Sequence, residues 1–288
     1  MKIGITGSSG FIGNELCEYF LALGYDVVRM QRTQTQAKNN NEEYFHFDLL
    51  QPVFPDFKID VLIHCAVIFK SVKYPDAFEQ NINATIKVRD YCRQNNIHFI
   101  FLSTMSAHED SISVYGKHKF EMERKLDISS DTILRLGLVI GSRGGLFNNI
   151  RKVIEKGRFI PLVNGGLQPL QTIDVNELCS LMEKIILGKV KGKFTIASPE
   201  IVTLKQFYSF IAGAAGKKIS FIPVPYSALY IVLKLTELAG INVGAGTENL
   251  MGLKQLKSEN TKDDLKKLDI TLTGTEATIK SLFQVQVQ

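Results

Sequence analysis

The stretch "VYGKHK" sets a phenol and an ammonium, Tyr115 and Lys119, four residues apart. On a helix such a pair shares one face. Hydride transfer to or from a carbinol carbon needs a group that moves a proton to or from the oxygen. A phenol with a pKa of about 10 is a poor base at neutral pH, and a nearby ammonium would favour the phenolate and draw that pKa toward the working range. The pair is common by chance and takes its meaning from what precedes it. Ten residues separate Tyr115 from Thr104 in "FLSTMSAHED", which offers the hydroxyls of Ser103, Thr104 and Ser106, any of which can hydrogen-bond an oxygen or cap a strand end.

A second stretch, "MKIGITGSSGFIGNELCEYF", carries Gly7, Gly10 and Gly13 between an apolar strand and an amphipathic helix. A helix N-terminus presents unpaired N–H groups and partial positive charge, and diphosphate is a natural occupant where the backbone can come close to it. Gly7 permits the tight turn, Gly10 the close approach and Gly13 the packing of helix on strand. The turn therefore predicts dinucleotide binding. After the second strand, "VVRMQRT" supplies Gln31 and Arg32 and no carboxylate, which favours NADP over NAD.

These groups need a frame. "KIGIT" (2–6), "YDVVRMQ" (25–31), "YFHFDL" (44–49), "DVLIHCAV" (60–67), "IHFIFLST" (97–104) and "TILRLGLVIG" (132–141) read as strands. Helical periodicity covers 11–23, with Phe11, Ile12, Leu16, Tyr19, Phe20 and Leu23 facing inward and Gly24 as the stop, then about 76–96 and 114–128. The polar run "TQTQAKNNNEE" is expected to be a loop. Strands that are apolar throughout and alternate with helices predict an α/β fold, a doubly wound parallel sheet covered on both faces. The expected domains are a dinucleotide-binding domain over 1–141, with 172–188 packing back on it, and a smaller α+β substrate lobe over 142–288. In that lobe the helix 226–239 carries Leu229, Ile231, Val232, Leu233, Leu235 and Leu238 with little polar face. Such a helix is expected to be buried in the lobe or at a subunit contact, or else to lie at a lipid surface.

The spacing Thr6-Gly7-x-x-Gly10-x-x-Gly13 resembles the fingerprint of the extended short-chain dehydrogenase/reductase superfamily, the NAD-dependent epimerase/dehydratase type that modifies sugar nucleotides. The resemblance implies a Rossmann domain whose cofactor lies against Gly7, Ser9, Gly10, Phe11, Ile12 and Gly13. It implies that Asp48 and Leu49, ending strand three, hold adenine and that Cys65, Ala66 and Val67, ending strand four, line the cofactor; Asn81 would open the next helix. It makes Tyr115 the catalytic acid/base and Lys119 its partner on the nicotinamide ribose, with Thr104 orienting the substrate oxygen. Two departures bear on the substrate. Strand six gives Arg135-Leu136-Gly137 without the family's proline, and Leu170 stands where a diphosphate-binding arginine is expected, with Arg143, Arg151, Lys152 and Arg158 as possible replacements.

Four scattered cysteines without C-x-x-C pairing predict free thiols in a reducing compartment, and five histidines without ligand spacing predict no metal site. A formal charge of +5, spread along the chain, fits solvated lysines better than a nucleic-acid surface. The chain opens directly on a strand, without a visible signal peptide, and no apolar run reaches the roughly 20 residues of a membrane span, so a cytoplasmic protein is expected. The leading expectation is an NAD(P)-dependent sugar-nucleotide reductase or epimerase, possibly homodimeric. A non-catalytic NADP-binding sensor or assembly protein and a reductase of apolar ketones remain open.

Overall fold

The computed structural model describes residues 1–33, 37, 39–69, 74–241 and 246–284. Part of the expected polar loop, 34–36 and 38, lies outside them. The chain divides into two compact units.

The first unit comprises Met1–Glu109, Val114–Arg135 and Val175–Phe194. Its elements are β1 (Lys2–Thr6), α1 (Phe11–Ala22), β2 (Asp26–Gln31), β3 (Glu42–His46), β4 (Val61–His64), α2 (Ala77–Gln94), β5 (His98–Thr104), α3 (Val114–Lys125) and β6 (Thr132–Leu136). With the strand Gly192–Ile196 at one edge, the sheet runs in the order 192–196, β6, β5, β4, β1, β2, β3. It is a doubly wound parallel sheet of Rossmann type. β1 pairs in parallel with β2 on one side and β4 on the other, so the winding reverses between β1 and β4. Ligands of such sheets bind at this reversal, beyond the carboxyl ends of the strands.

Both faces are covered: α1 packs against the helix Val175–Leu187, and α2 against α3. The strands are apolar because both their faces are inside. Ile3, Ile5, Val28, Met30, Leu62, Ile63, Phe99 and Phe101 are all buried.

Several boundaries differ from the sequence reading. β3 begins at Glu42, inside the expected loop, because the buried Glu42 carboxylate pairs with the buried Arg29 guanidinium of β2. It ends at His46, so Asp48 and Leu49 lie beyond it rather than closing it, and Asp48 Oδ1 accepts the Leu50 amide in a local turn. β4 stops at His64, which places Cys65–Val67 in the loop. α1 stops at Ala22, and Leu23 is exposed where an inward side chain was expected; Gly24, at φ +80°, reverses the chain. Asn81 sits inside α2 rather than opening it.

The second unit comprises Asp110–Ser113, Leu136–Asp174 and Thr195–Gln288. The single strand expected over 132–141 breaks at Gly137, and Leu138–Ile140 pairs with Thr172–Asp174 instead. A side chain at 137 would lie 2.5 Å from the Gln171 carbonyl oxygen and 2.7 Å from Ala197 Cβ. The core gathers Phe147, Ile154, Ile160, Leu170, Phe207, Ile211 and Ile279. The helix Tyr226–Leu238 is not enclosed within this unit: Leu233 is its one buried residue.

Candidate functional site

The site begins at the turn after β1. Gly7 has φ +67°, and a Cβ there would come within 2.8 Å of the Ala66 backbone. A Cβ on Gly13 would stand 2.4 Å from the Gly7 carbonyl oxygen, closer than real side chains approach a carbonyl. The same oxygen lies 3.2 Å from the Cβ position of Gly10 and accepts the Gly10 amide at 2.9 Å. All three glycines hold the loop against the start of α1. No side chain caps α1 and no acid stands in its first turn. The helix therefore keeps its amides and positive end for an anion. Ser9 and Gly10 are exposed and Phe11 and Ile12 half-buried at this end.

Neighbouring loops fix its walls. Ser8 Oγ donates to Gln31 Oε1 at 2.9 Å, and Gln31 Nε2 donates to the Thr33 carbonyl, which ties the glycine turn to the end of β2. Arg32 is exposed, its Nη1 3.5 Å from the Tyr74 hydroxyl. Asp48 is half-buried and Leu49 buried. Behind Gly7 runs the loop of Cys65, Ala66 and Val67. The Thr6 hydroxyl accepts the Ala66 amide, and Asn81 accepts the Ile68 amide at 2.8 Å and donates to its carbonyl at 2.7 Å. These side-chain clips make an irregular loop rigid.

Tyr115 and Lys119 lie one turn apart on α3. Lys119 is 2% exposed; its Nζ donates to the Leu102 carbonyl at 2.6 Å and stands 4.3 Å from the Phe101 ring centre. It is 5.9 Å from the centre of the Tyr115 ring. Burial lowers the ammonium to about 8, against the raising influence of Cys65 and Glu123. Burial, followed by Cys65, pushes the Tyr115 phenol up to about 12. Both influences raise the phenol, and burial is the larger. Thr104 is half-buried at the end of β5, its Oγ1 accepting the Ser106 amide at 3.2 Å, while Ser103 is buried and turned away toward Glu123. The bond from Lys119 to Leu102 places the pair at the carboxyl end of β5, the strand next to β4.

The sequence reading missed two supporting groups. Glu123, one turn beyond Lys119, is buried and accepts from Ser103, from Arg135 at 2.7 Å and from Lys193 at 2.6 Å. Its spacing from Lys119 was visible, but its scattered partners were not. His64 is fully buried between the Thr6 hydroxyl at 2.8 Å and the Thr85 hydroxyl at 3.1 Å, and burial, then Lys119, lowers it to about 3. It is neutral.

Of the residues considered for a diphosphate, Leu170 is buried in the second unit's core opposite Val202, and Arg151 is paired with Glu155 at 2.7 Å. Among the described residues no cluster of histidine, cysteine and carboxylate could hold a metal ion.

A sterol-4-alpha-carboxylate 3-dehydrogenase (decarboxylating) of Dictyostelium discoideum is 23% identical over 310 aligned residues, which cover 91% of this chain and 94% of that protein. Among solved structures, a human epimerase family protein with NADPH superposes at TM-score 0.77, 16% identical over 99% of each chain. The UDP-glucose 4-epimerase of Thermotoga maritima, solved with UDP-glucose, superposes at 0.73, 17% identical over 100% of each. At these identities the superpositions speak for the fold. Residues 3–196, two-thirds of the chain, match the family described as NAD dependent epimerase/dehydratase, and the chain belongs to that family.

Proposed function

We propose that this chain is an NADP-preferring oxidoreductase that reduces a carbonyl of a nucleotide-activated sugar, with Tyr115 as proton donor, Lys119 as its cationic partner and Thr104 orienting the substrate oxygen. The observation that carries the reading is the placement of Tyr115 one turn from the buried Lys119 on α3, the ammonium 5.9 Å from the phenol ring centre and held by the Leu102 carbonyl at the end of β5. Burial pushes the phenol up to about 12, so it enters the reaction protonated, as the proton donor to a carbonyl oxygen must.

The glycine turn is a cradle that any Cβ would fill, and it fits a dinucleotide diphosphate. Gly7, Ser9, Gly10 and the start of α1 would hold that diphosphate, Asp48 and Leu49 the adenine, and Cys65, Ala66 and Val67 the remainder. Arg32 would face a 2′-phosphate, and the stretch "VVRMQRT" supplies no carboxylate to repel one. When bound, the coenzyme supplies the hydride. Tyr115 delivers the proton to the carbonyl oxygen as that oxygen gains charge, and the Thr104 hydroxyl keeps the oxygen in line. Lys119 holds positive charge near the developing phenolate.

A second reading, reduction of an apolar ketone, is favoured by Leu170. A leucine enclosed in a core cannot pair with a diphosphate. The relationship to a sterol dehydrogenase supports the same alternative.

Following nicotinamide absorbance with purified protein decides between them. NADPH should be consumed with 4-keto sugar nucleotides and not with steroid-like or simple aryl ketones. Consumption with apolar ketones alone would select the second reading. Tight NADPH binding without turnover of either class would overturn both.

A further inference from the structure

Two aromatic rings meet Tyr115, and the chemistry described so far uses neither. The Phe69 ring centre lies 5.5 Å from that of Tyr115, with 30° between the planes. The His118 imidazole, about one turn further along α3, stands edge-on to the phenol at 5.9 Å and 64°. Both separations lie in the range where aromatic pairs attract. His118 is 2% exposed, and burial, followed by Lys119 and His64, lowers it to about 2. It therefore meets the phenol as a neutral ring.

Phe69 differs in kind. Its side chain is 58% exposed, so it contributes little to the core. The backbone that carries it is nevertheless fixed. Asn81 accepts the amide of the preceding residue, Ile68, at 2.8 Å and donates to its carbonyl at 2.7 Å. Asn81 is itself buried and donates to the Ala77 carbonyl within α2 at 2.6 Å. A side-chain amide that satisfies both polar groups of one loop residue sets where the next side chain emerges. The pinned loop thus delivers an aromatic ring onto Tyr115 from outside its helix.

A proton donor works from a narrow range of positions and angles, and groups that lock its rotamer supply that precision. α3 fixes the backbone of Tyr115 and leaves the turning of its ring to its neighbours. His118 belongs to the same helix, whereas Phe69 is tied to α2 through Asn81.

We propose that Phe69 is a positioning residue for Tyr115: carried on the loop that Asn81 pins, its ring acts with the His118 imidazole to hold the phenol in the orientation from which it protonates the substrate oxygen. The inference rests on the reading of Tyr115 as proton donor and adds to it a residue outside α3.

Because Phe69 is exposed, Phe69→Ala should leave the thermal melt and the NADPH Kd nearly unchanged. With NADPH and a 4-keto sugar nucleotide, its kcat should fall at least about ten-fold at constant KM. Phe69→Tyr, which keeps the ring, should retain kcat, and Phe69→Leu, which keeps only apolar bulk, should not. Unchanged kcat in Phe69→Ala overturns the proposal. So does a raised KM with kcat intact, which would make Phe69 a wall for the substrate instead.

The ring also gives a readout that needs no turnover. With isotopically labelled tyrosine, and Tyr115→Phe to assign the signal by NMR, the Tyr115 ring should flip slowly in the wild type and faster in Phe69→Ala. Equal flip rates would sink the proposal alone. Full activity in Tyr115→Phe would sink the proton-donor reading and the proposal with it.

Discussion

Lys119 Nζ donates to the carbonyl oxygen of Leu102 at 2.6 Å, so the ammonium is anchored to the backbone of β5. Its charge is held in an apolar pocket, with the Phe101 ring 4.3 Å away and Cys65, Glu123, His64, His118 and Tyr115 as its titratable neighbours. Burial brings the lysine from 10.5 to about 8. It is charged below that pH and neutral above it. Turnover in the reductive direction should therefore be flat toward neutrality and fall as pH rises through about 8, read from kcat against pH at saturating NADPH. The same depression affects stability with the opposite sign. The unfolded chain binds the proton more tightly between about 8 and 10.5, so this group's contribution to stability grows as pH rises through that window. Lys119→Met should abolish the alkaline limb and stabilise the fold in urea at pH 7, by at most roughly 3 kcal/mol.

Tyr115→Phe removes the proton donor and leaves the ring in place. Turnover should fall by about 10²- to 10⁴-fold, the usual contribution of a positioned acid, while NADPH titration by fluorescence gives a nearly unchanged Kd. Full activity in this variant would remove Tyr115 from the chemistry.

Gly13→Ala tests the cradle. The added methyl would stand 2.4 Å from the Gly7 oxygen and 3.0 Å from the Ser8 Cα, so either α1 or the turn must move. NADPH binding should weaken at least about ten-fold, and the fold should lose on the order of 1–3 kcal/mol. Gly24→Ala is the control. Nothing crowds that position, and only its positive φ is lost, so coenzyme affinity should hold.

Much of the frame was legible because it rests on local pattern. Apolar runs such as "KIGIT" and "IHFIF" have both faces buried, and the glycine spacing places Gly7, Gly10 and Gly13 where their absent side chains matter. What was not legible rests on partners distant in the chain. Glu42 and Glu43 read as loop because nothing nearby announces that Arg29 waits inside the adjacent strand. The strand through Gly137 read as continuous because Gln171 and Ala197, which force the break, lie far along the sequence. In the site, the direction of the Tyr115 shift could not be read from Tyr-x-x-x-Lys spacing. That spacing gives the neighbour but not the desolvation, and desolvation dominates.

His64 and His118 set the acid limit of the fold. Burial lowers the first to about 3 and the second to about 2, with Lys119 adding to both. Each is neutral when folded and takes up a proton near 6.5 when unfolded, so the contribution of these two histidines should be constant above about pH 6.5 and fall below it. The slope from each is up to about 1.4 kcal/mol per pH unit. His64→Asn, followed by urea denaturation between pH 4 and 7, should flatten that dependence.

Glu123 shows how the pair depends on groups that never meet a substrate. Its buried carboxylate balances Arg135 and Lys193 and raises the proton affinity of Lys119 one turn away. Glu123→Gln keeps the shape and leaves two cations facing a neutral amide. Removing one partner from a buried ion cluster typically costs about 3–5 kcal/mol, and the exposure of Lys193, 38% for its side chain, argues for the lower end. A purely structural role would lower the melting temperature and leave the pH profile of the surviving enzyme unchanged. If Glu123 also holds charge on Lys119, the alkaline limb of kcat should move to lower pH in the variant. It should return toward its original position in Glu123→Asp if the shorter carboxylate still reaches Arg135.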